Sequence, residues 1–266
     1  RKKDDAGNAL YFISNSKETA FDGWITLEKE ARIVFLYDAM TGTFGKGKVR
    51  NPDGRRSEVY VQLPSRGTLI LQAFNNNAEG DAFPYYQTTG DAVSLRGPWK
   101  INFISGGPTL PSTQDSDTLK WWTSFEGADY KSFSGTASYT TFFSAPQTQA
   151  DAWLLDLGKV NESAEVMLNG QLLGTVIGPQ YQLAINPSYL KDQNVLEIRV
   201  SNLMRNRIVD LEKRNILWKK FYNINFPARK AENRKEGLFT AAHWESKDSG
   251  ITGPVRLIPQ RAFSPF

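Results

Sequence analysis

The stretch "AEVMLNGQLLGTV", residues 164–176, constrains the fold more than any other part of the chain. Ala164, Val166 and Leu168 share one side of an extended segment, and Glu165, Met167 and Asn169 share the other. Asn-Gly between two such runs is the strongest short hairpin signal, because both turn positions need a positive φ. The reading is therefore a type I′ turn at Asn169-Gly170, in preference to a ligand contact.

The same logic extends along the chain. Residues 10–15, 23–28, 31–37, 57–64 and 68–74 are rich in β-branched and aromatic residues. In the fourth, Val59, Val61 and Leu63 alternate with Tyr60 and Gln62. Turn-like stretches at 38–47 and 51–54 separate them, and the set predicts a small β-sandwich. Residues 75–92, rich in Asn and Gly, read as a linker or long connection. A second β region follows, with strands expected at 95–103, 135–145, 152–157, 164–169, 171–176, 194–202 and 253–259. Spacing of this kind argues a second sandwich or jelly roll. The expected domains are 1–92 and 93–266, and the fold class is all-β with a helical insertion. In "NVLEIRV", Leu196, Ile198 and Val200 should face the core, leaving Glu197 and Arg199 for a cross-strand ion pair.

Composition narrows the function. The net charge of +4 is spread over 32 basic and 28 acidic residues. That lacks the basic stripe of a nucleic-acid binder, so no nucleic-acid partner is expected. No run of about 18 apolar residues is present, so no membrane-spanning helix is expected. Residues Arg1 to Asp5 carry no signal-peptide pattern, and the absence of a starting Met reads as a piece of something longer. There is no cysteine, which removes disulfides and thiolate zinc sites and fits an extracytoplasmic bacterial protein.

Residues 202–227 break the strand pattern. Ile208, Leu211, Leu217, Trp218, Phe221 and Tyr222 fall near helical spacing, Asp210 and Arg214 form an i,i+4 pair, and Pro227 ends the helix. Insertions of this kind commonly carry function. Flat aromatic rings supply platforms for the C–H faces of sugars, and Arg and Asn give hydrogen bonds at the rim. Arg205, Asn206, Arg207, Trp218 and Tyr222, with Trp244 in a later loop, are the candidate carbohydrate-binding residues. The competing reading has Trp218 and Phe221 pinning the insertion to the sandwich and Arg207 pairing with Asp210. Trp99 and the Trp121-Trp122 pair read as packing residues, with at most one of the adjacent pair free for a ligand.

No catalytic set emerges. A glycosidase needs two carboxylates facing across a cleft. Glu126, Asp129, Glu162 and Glu245 are available, but spacing singles out no pair, and solvated surface acids are the ordinary case. His243 is the sole histidine and lies in a loop with no nucleophile elbow nearby. Asp115 and Asp117 are calcium-type oxygen ligands, yet the Gly and terminal Glu of a full calcium loop are missing. Turn or cap use is the preferred reading for them, and no cofactor is expected.

The segments "FSGTASYTTFFSAP" and "LLDLGKVNESAEVMLNGQLLGTVIGPQYQLAINPSYLKDQNVLEIRVSN" resemble the galactose-binding-like jelly roll of glycoside hydrolases, the sugar-binding domain type of family 2. "GPWKINFISGGPTLP", "SNLMRNRIVDL" and "SGITGPVRL" are similar to the C-terminal part of glycoside hydrolase family 106, the α-L-rhamnosidases. "LYFISNSKETAFDGWITL" and "LYDAMTGTFGK" resemble the β-sandwich that follows the catalytic barrel in those enzymes. The resemblance runs over about residues 8–260. It implies an exported, periplasmic or cell-surface, polysaccharide-degrading parent. It also implies that the barrel carboxylates and calcium of such enzymes lie outside this stretch. The expected partners are the catalytic barrel of the same parent chain and a polysaccharide or oligosaccharide. A purely structural module and a stand-alone glycosidase are the rival readings.

Overall fold

The computed structural model describes residues 2–3, 8–28, 30–52 and 54–266. Arg1, Asp4 and Asp5 of the N-terminal reading, and Asp53 of the turn expected at 51–54, lie outside the described residues. The chain divides into two compact units, Arg1–Asp91 with Thr148–Leu154 and Ile258–Phe266, and Ala92–Gln147 with Leu155–Leu257. The architecture is mostly β, with antiparallel sheets throughout the named strand pairs.

In the first unit, β1 (Ala9–Ser14), β2 (Phe21–Thr26), β3 (Ile33–Asp38), β4 (Thr43–Lys46), β5 (Glu58–Leu63) and β6 (Thr68–Phe74) form two sheets. One orders Lys2–Lys3, β1, β6, β3 and β4, and the other orders β2, β5 and Val49–Arg50. Val59, Val61 and Leu63 of β5 meet Val34 and Leu36 of β3 and Leu69 and Leu71 of β6 in one buried cluster. Alternation on the two sheets thus produces a sandwich core, as the spacing predicts. The 75–92 stretch is more firmly held than a linker. Tyr85 is buried in that cluster, donates its hydroxyl to the Tyr60 carbonyl at 3.0 Å and accepts from the Lys48 amide at 3.0 Å.

In the second unit, β7 (Trp99–Gly107), β8 (Ser134–Ser144), β10 (Ser163–Leu168), β11 (Gln171–Ile177) and β13 (Gln193–Ser201) join Gln114–Ser116 in a sheet ordered 114–116, β7, β8, β13, β10, β11. Val93–Ser94 pairs antiparallel with the first two residues of β15 (Arg256–Ala262), and β9 (Ala152–Asp156) and β12 (Gln182–Ile185) are further strands. β14 (Gly250–Gly253) pairs with Lys159–Asn161. Ala164, Val166 and Leu168 of β10 and Leu196, Ile198 and Val200 of β13 are each no more than 1% exposed. Arg199 bonds Glu165 across the strands at 3.1 Å and Glu197 at 2.7 Å, the ion pair the alternation called for. Asn169 and Gly170 take φ of 54° and 81°, so the turn is the expected bend. Asn169 adds scaffold bonds, accepting from the Val195 amide at 2.9 Å and donating to the Tyr189 carbonyl at 3.0 Å.

Among the described residues two short α-helices interrupt the strands, α1 (Ala128–Ser132) and α2 (Arg205–Lys213). The helix expected across 202–227 covers only its first third. Asn215 takes φ 54°, its amide donates to the Glu212 carbonyl, and the Ile216 amide reaches back to Leu211 at 2.9 Å. That pair of bonds is a Schellman stop, which satisfies the last carbonyls and turns the chain away. Leu217 to Tyr222 therefore lie on an irregular limb, despite their spacing. Trp122 opens a 3-10 turn and is fully buried, while Trp121 is half-buried.

Candidate functional site

The insertion is fastened to the jelly-roll sheet by amide side chains. Asn202 donates to the Phe133 carbonyl at 3.1 Å and accepts from the Gly135 amide at 2.8 Å. One helical turn on, Asn206 is 1% exposed. Its Nδ2 donates to the Lys247 carbonyl at 2.8 Å, and its Oδ1 accepts from the Lys247 amide at 2.7 Å. A backbone amide in the first turn of α2, that of Arg207, donates to Ser134 Oγ at 3.0 Å. The Arg207 guanidinium lies against Gly107, where a Cβ would sit 2.6 Å from Nη1. Asp210 bonds Arg214 at 2.6 Å, the expected i,i+4 pair.

The far side of α2 carries a small core of its own. Ala228, Phe239 and Ala241 are buried there, with Ile208, Trp218 and Trp244 packed on them. The Trp244 indole N–H donates to Asn233 Oδ1 at 2.8 Å, and the Arg205 guanidinium lies 4.6 Å from the Trp244 ring centroid. His243 Nε2 also meets Asn233 Oδ1 at 3.1 Å, which assigns that nitrogen as the donor. The Trp218 indole N–H donates to Glu212 Oε1 at 2.7 Å. Trp218 and Trp244 thus spend their polar atoms inside the insertion.

Glu212 is the hub. It accepts from Lys219 Nζ at 2.7 Å and from Thr240 Oγ1 at 3.0 Å, in addition to the Trp218 indole. Burial alone would raise its pKa; hydrogen bonds from Lys219, Trp218 and Thr240 and the ammonium charge outweigh that and hold it below the ordinary glutamate value. Lys219 also donates to the Phe239 carbonyl at 2.7 Å and lies within 5.7 Å of the Trp218, Tyr222 and Phe239 ring centroids. Facing this hub, Arg234–Lys235 and Leu238–Phe239 pair as a tight hairpin. Its turn residues Glu236 and Gly237 take φ of 52° and 80°.

Between the 215–222 limb and this hairpin lies an open cleft of about 350 Å³. Leu217, Tyr222 and Leu238 give it apolar walls, and exposed Asn215, Lys235 and Glu236 bring amide, ammonium and carboxylate groups to it. Of the six residues singled out by sequence, the cleft gathers Tyr222; Arg205, Asn206, Trp218 and Trp244 bond or pack around the insertion, and Arg207 meets the sheet through its backbone amide and its contact with Gly107. The rest of the lining went unseen because the hairpin at 234–239 is short. Its signal was there: Glu-Gly followed by Leu-Phe is turn chemistry.

Among the described residues, no group of three or more His, Asp or Glu side chains is placed to hold a metal. Asp115 lies in the 114–116 strand opposite Lys100. Glu162 is ion-paired with Lys247. In the cleft, Glu212 is saturated with donors, which suits a structural anion and not a proton shuttle.

No family model matches the chain. A putative beta-glucuronidase of Formosa agariphila is 30% identical over 251 residues, a match that takes in 85% of this chain and 21% of that protein. The chain matches one stretch of much larger glycosidases. Among solved structures, the rhamnosidase of Novosphingobium sp. PP1Y superposes with a TM-score of 0.71 over 94% of this chain and 22% of its own, at 24% identity. That second likeness is one of fold. The chain spans about a fifth of the length of both proteins. No helix among the described residues is long and apolar enough to cross a membrane.

Proposed function

We propose that this chain is a non-catalytic accessory region of an exported glycoside hydrolase, one that supports the enzyme's catalytic part and holds a saccharide in the Tyr222 cleft. The observation that carries the reading is the 30% identity, over most of this chain, to one-fifth of a putative beta-glucuronidase. The cleft adds chemistry to it. An exposed tyrosine ring offers a flat platform, and amide, ammonium and carboxylate groups around it can bond hydroxyls. The resemblance of short stretches such as "GPWKINFISGGPTLP" to α-L-rhamnosidases makes rhamnose-containing and pectic glycans the first to try. A glycan array followed by calorimetry on the 266-residue chain tests this. Wild type should bind, and Tyr222→Ala should lose at least tenfold in affinity with an unchanged melting temperature. Silence across every pectic and rhamnose-containing glycan would remove the saccharide half of the proposal.

A second reading, packing without glycan affinity, is favoured by one observation. Leu217, Phe221, Ile224 and Phe226 are each more than 70% exposed on the insertion. Apolar groups in such density mark a contact surface. In that case the parent enzyme without this region would be insoluble, while the isolated chain would bind no glycan.

A further inference from the structure

The first unit shows a sheet face that contradicts its own solvent exposure. In a one-sided antiparallel sheet the outward positions are normally polar. Here the registers place Phe12 beside Ile70, Ile70 beside Tyr37, and Tyr37 beside Phe44, one continuous row across β1, β6, β3 and β4. Phe12 is 68% exposed and Phe44 is 56% exposed. The adjacent row sets Leu10 beside Gln72 and Gln72 beside Phe35. Leu10, Phe35, Tyr37, Phe44, Ile70 and Gln72 line a groove of about 290 Å³, in which Phe35 and Phe44 stack at 5.0 Å with rings 2° from parallel. None of these lining residues is charged.

Resting on the function proposed above, we infer that this face is the seat of the glycosidase's catalytic part, a folded protein surface of apolar side chains. Three features choose that occupant. The matched glucuronidase has about four-fifths of its length outside the matched stretch, which supplies a domain-sized partner. Aromatic centres without charge are what the buried middle of a protein–protein interface presents. A saccharide would need several hydrogen-bonding groups, and Gln72 and the Tyr37 hydroxyl are the polar side-chain groups the groove provides.

Thiol labelling tests it, since the chain has no cysteine of its own. F12C, F44C and a reference, S188C, are each made in the 266-residue chain and in the full-length parent. Maleimide uptake is read by mass spectrometry of the peptide, with melting curves to confirm folding. The expected result is rapid uptake at F12C and F44C in the chain, slowed at least tenfold in the parent, with S188C changed less than twofold. Equal rates in a parent that carries a glycosidase region overturn the docking face and leave the proposed function standing. A reading frame with no further domain overturns both. Concentration-dependent dimerisation of the chain, abolished by F12S with F44S, would assign the face to a second copy and overturn the inference. Protection of F12C in the chain by soluble rhamnogalacturonan would assign it to saccharide and do the same.

Discussion

Asn206 shows how one side chain sets the position of a functional element. Its amide uses both ends on the Lys247 backbone, so an alanine there leaves the Lys247 amide without its side-chain acceptor and its carbonyl with the Ser249 hydroxyl as its remaining side-chain donor. The expected cost is about 2 kcal/mol, read by urea denaturation, with Tyr222 cleft binding weakened as α2 loosens. Gly250 is constrained from the opposite direction. Its φ is 111°, and a Cβ would sit 2.4 Å from the Tyr139 hydroxyl and 3.0 Å from the Trp122 ring. Gly250→Ala should therefore cost about 2–4 kcal/mol, from crowding and backbone strain together. A melting temperature within a degree of wild type would contradict this.

At the scale of the element, the insertion depends on where α2 stops and on what Glu212 holds. Asn215→Gly should be neutral or slightly stabilising, because glycine accepts the positive φ of the Schellman position. Asn215→Val should cost about 1 kcal/mol or more, since a branched side chain resists that conformation. Paired thermal melts separate the two. The Glu212 hub has a pH signature. Its folded pKa lies below the unfolded one, so its contribution is complete above the ordinary glutamate range and is lost as pH falls through the folded value. Trp218 sits on that carboxylate, so its fluorescence should report the loosening at acid pH, and Glu212→Gln should flatten that acid limb. An acid transition unchanged in the variant would assign the loss to other groups.

For the whole molecule, two pieces of surface are in tension with water, one on each unit. Leu217 and Ile224 are 78% and 76% exposed on the second, and Phe12 is 68% exposed on the first. Burial of such groups returns about 1.5–3 kcal/mol each, so a parent enzyme should gain stability from covering them. Expressed without residues 1–266, that parent should fall sharply in soluble yield. Equal yield and activity after the deletion would remove the support role. The isolated chain should bind a hydrophobic dye at these faces, and Phe12→Ser with Phe44→Ser should reduce the signal without lowering the melting temperature.

Local chemistry was enough for the parts of the fold that repeat every two residues. Val59, Val61 and Leu63, or Leu196, Ile198 and Val200, declare their buried side because a strand has no other way to hide them, and Asn169-Gly170 declares its turn because few residues accept two positive φ values. The extent of α2 was beyond that reach, since Leu217 to Tyr222 keep helical spacing while Asn215 ends the helix through its own backbone. The candidate site was only partly legible for the same reason. Tyr222 was visible as an aromatic in an insertion, but Asn206, Trp218 and Trp244 are of the sugar-binding type and are used as fasteners, a choice made by partners far away in sequence. Lys235 and Glu236 reach the cleft only because a short hairpin folds back toward α2. Alternation belongs to the chain itself, whereas the partner of a given amide, indole or carboxylate is decided by which distant backbone the packed core leaves beside it.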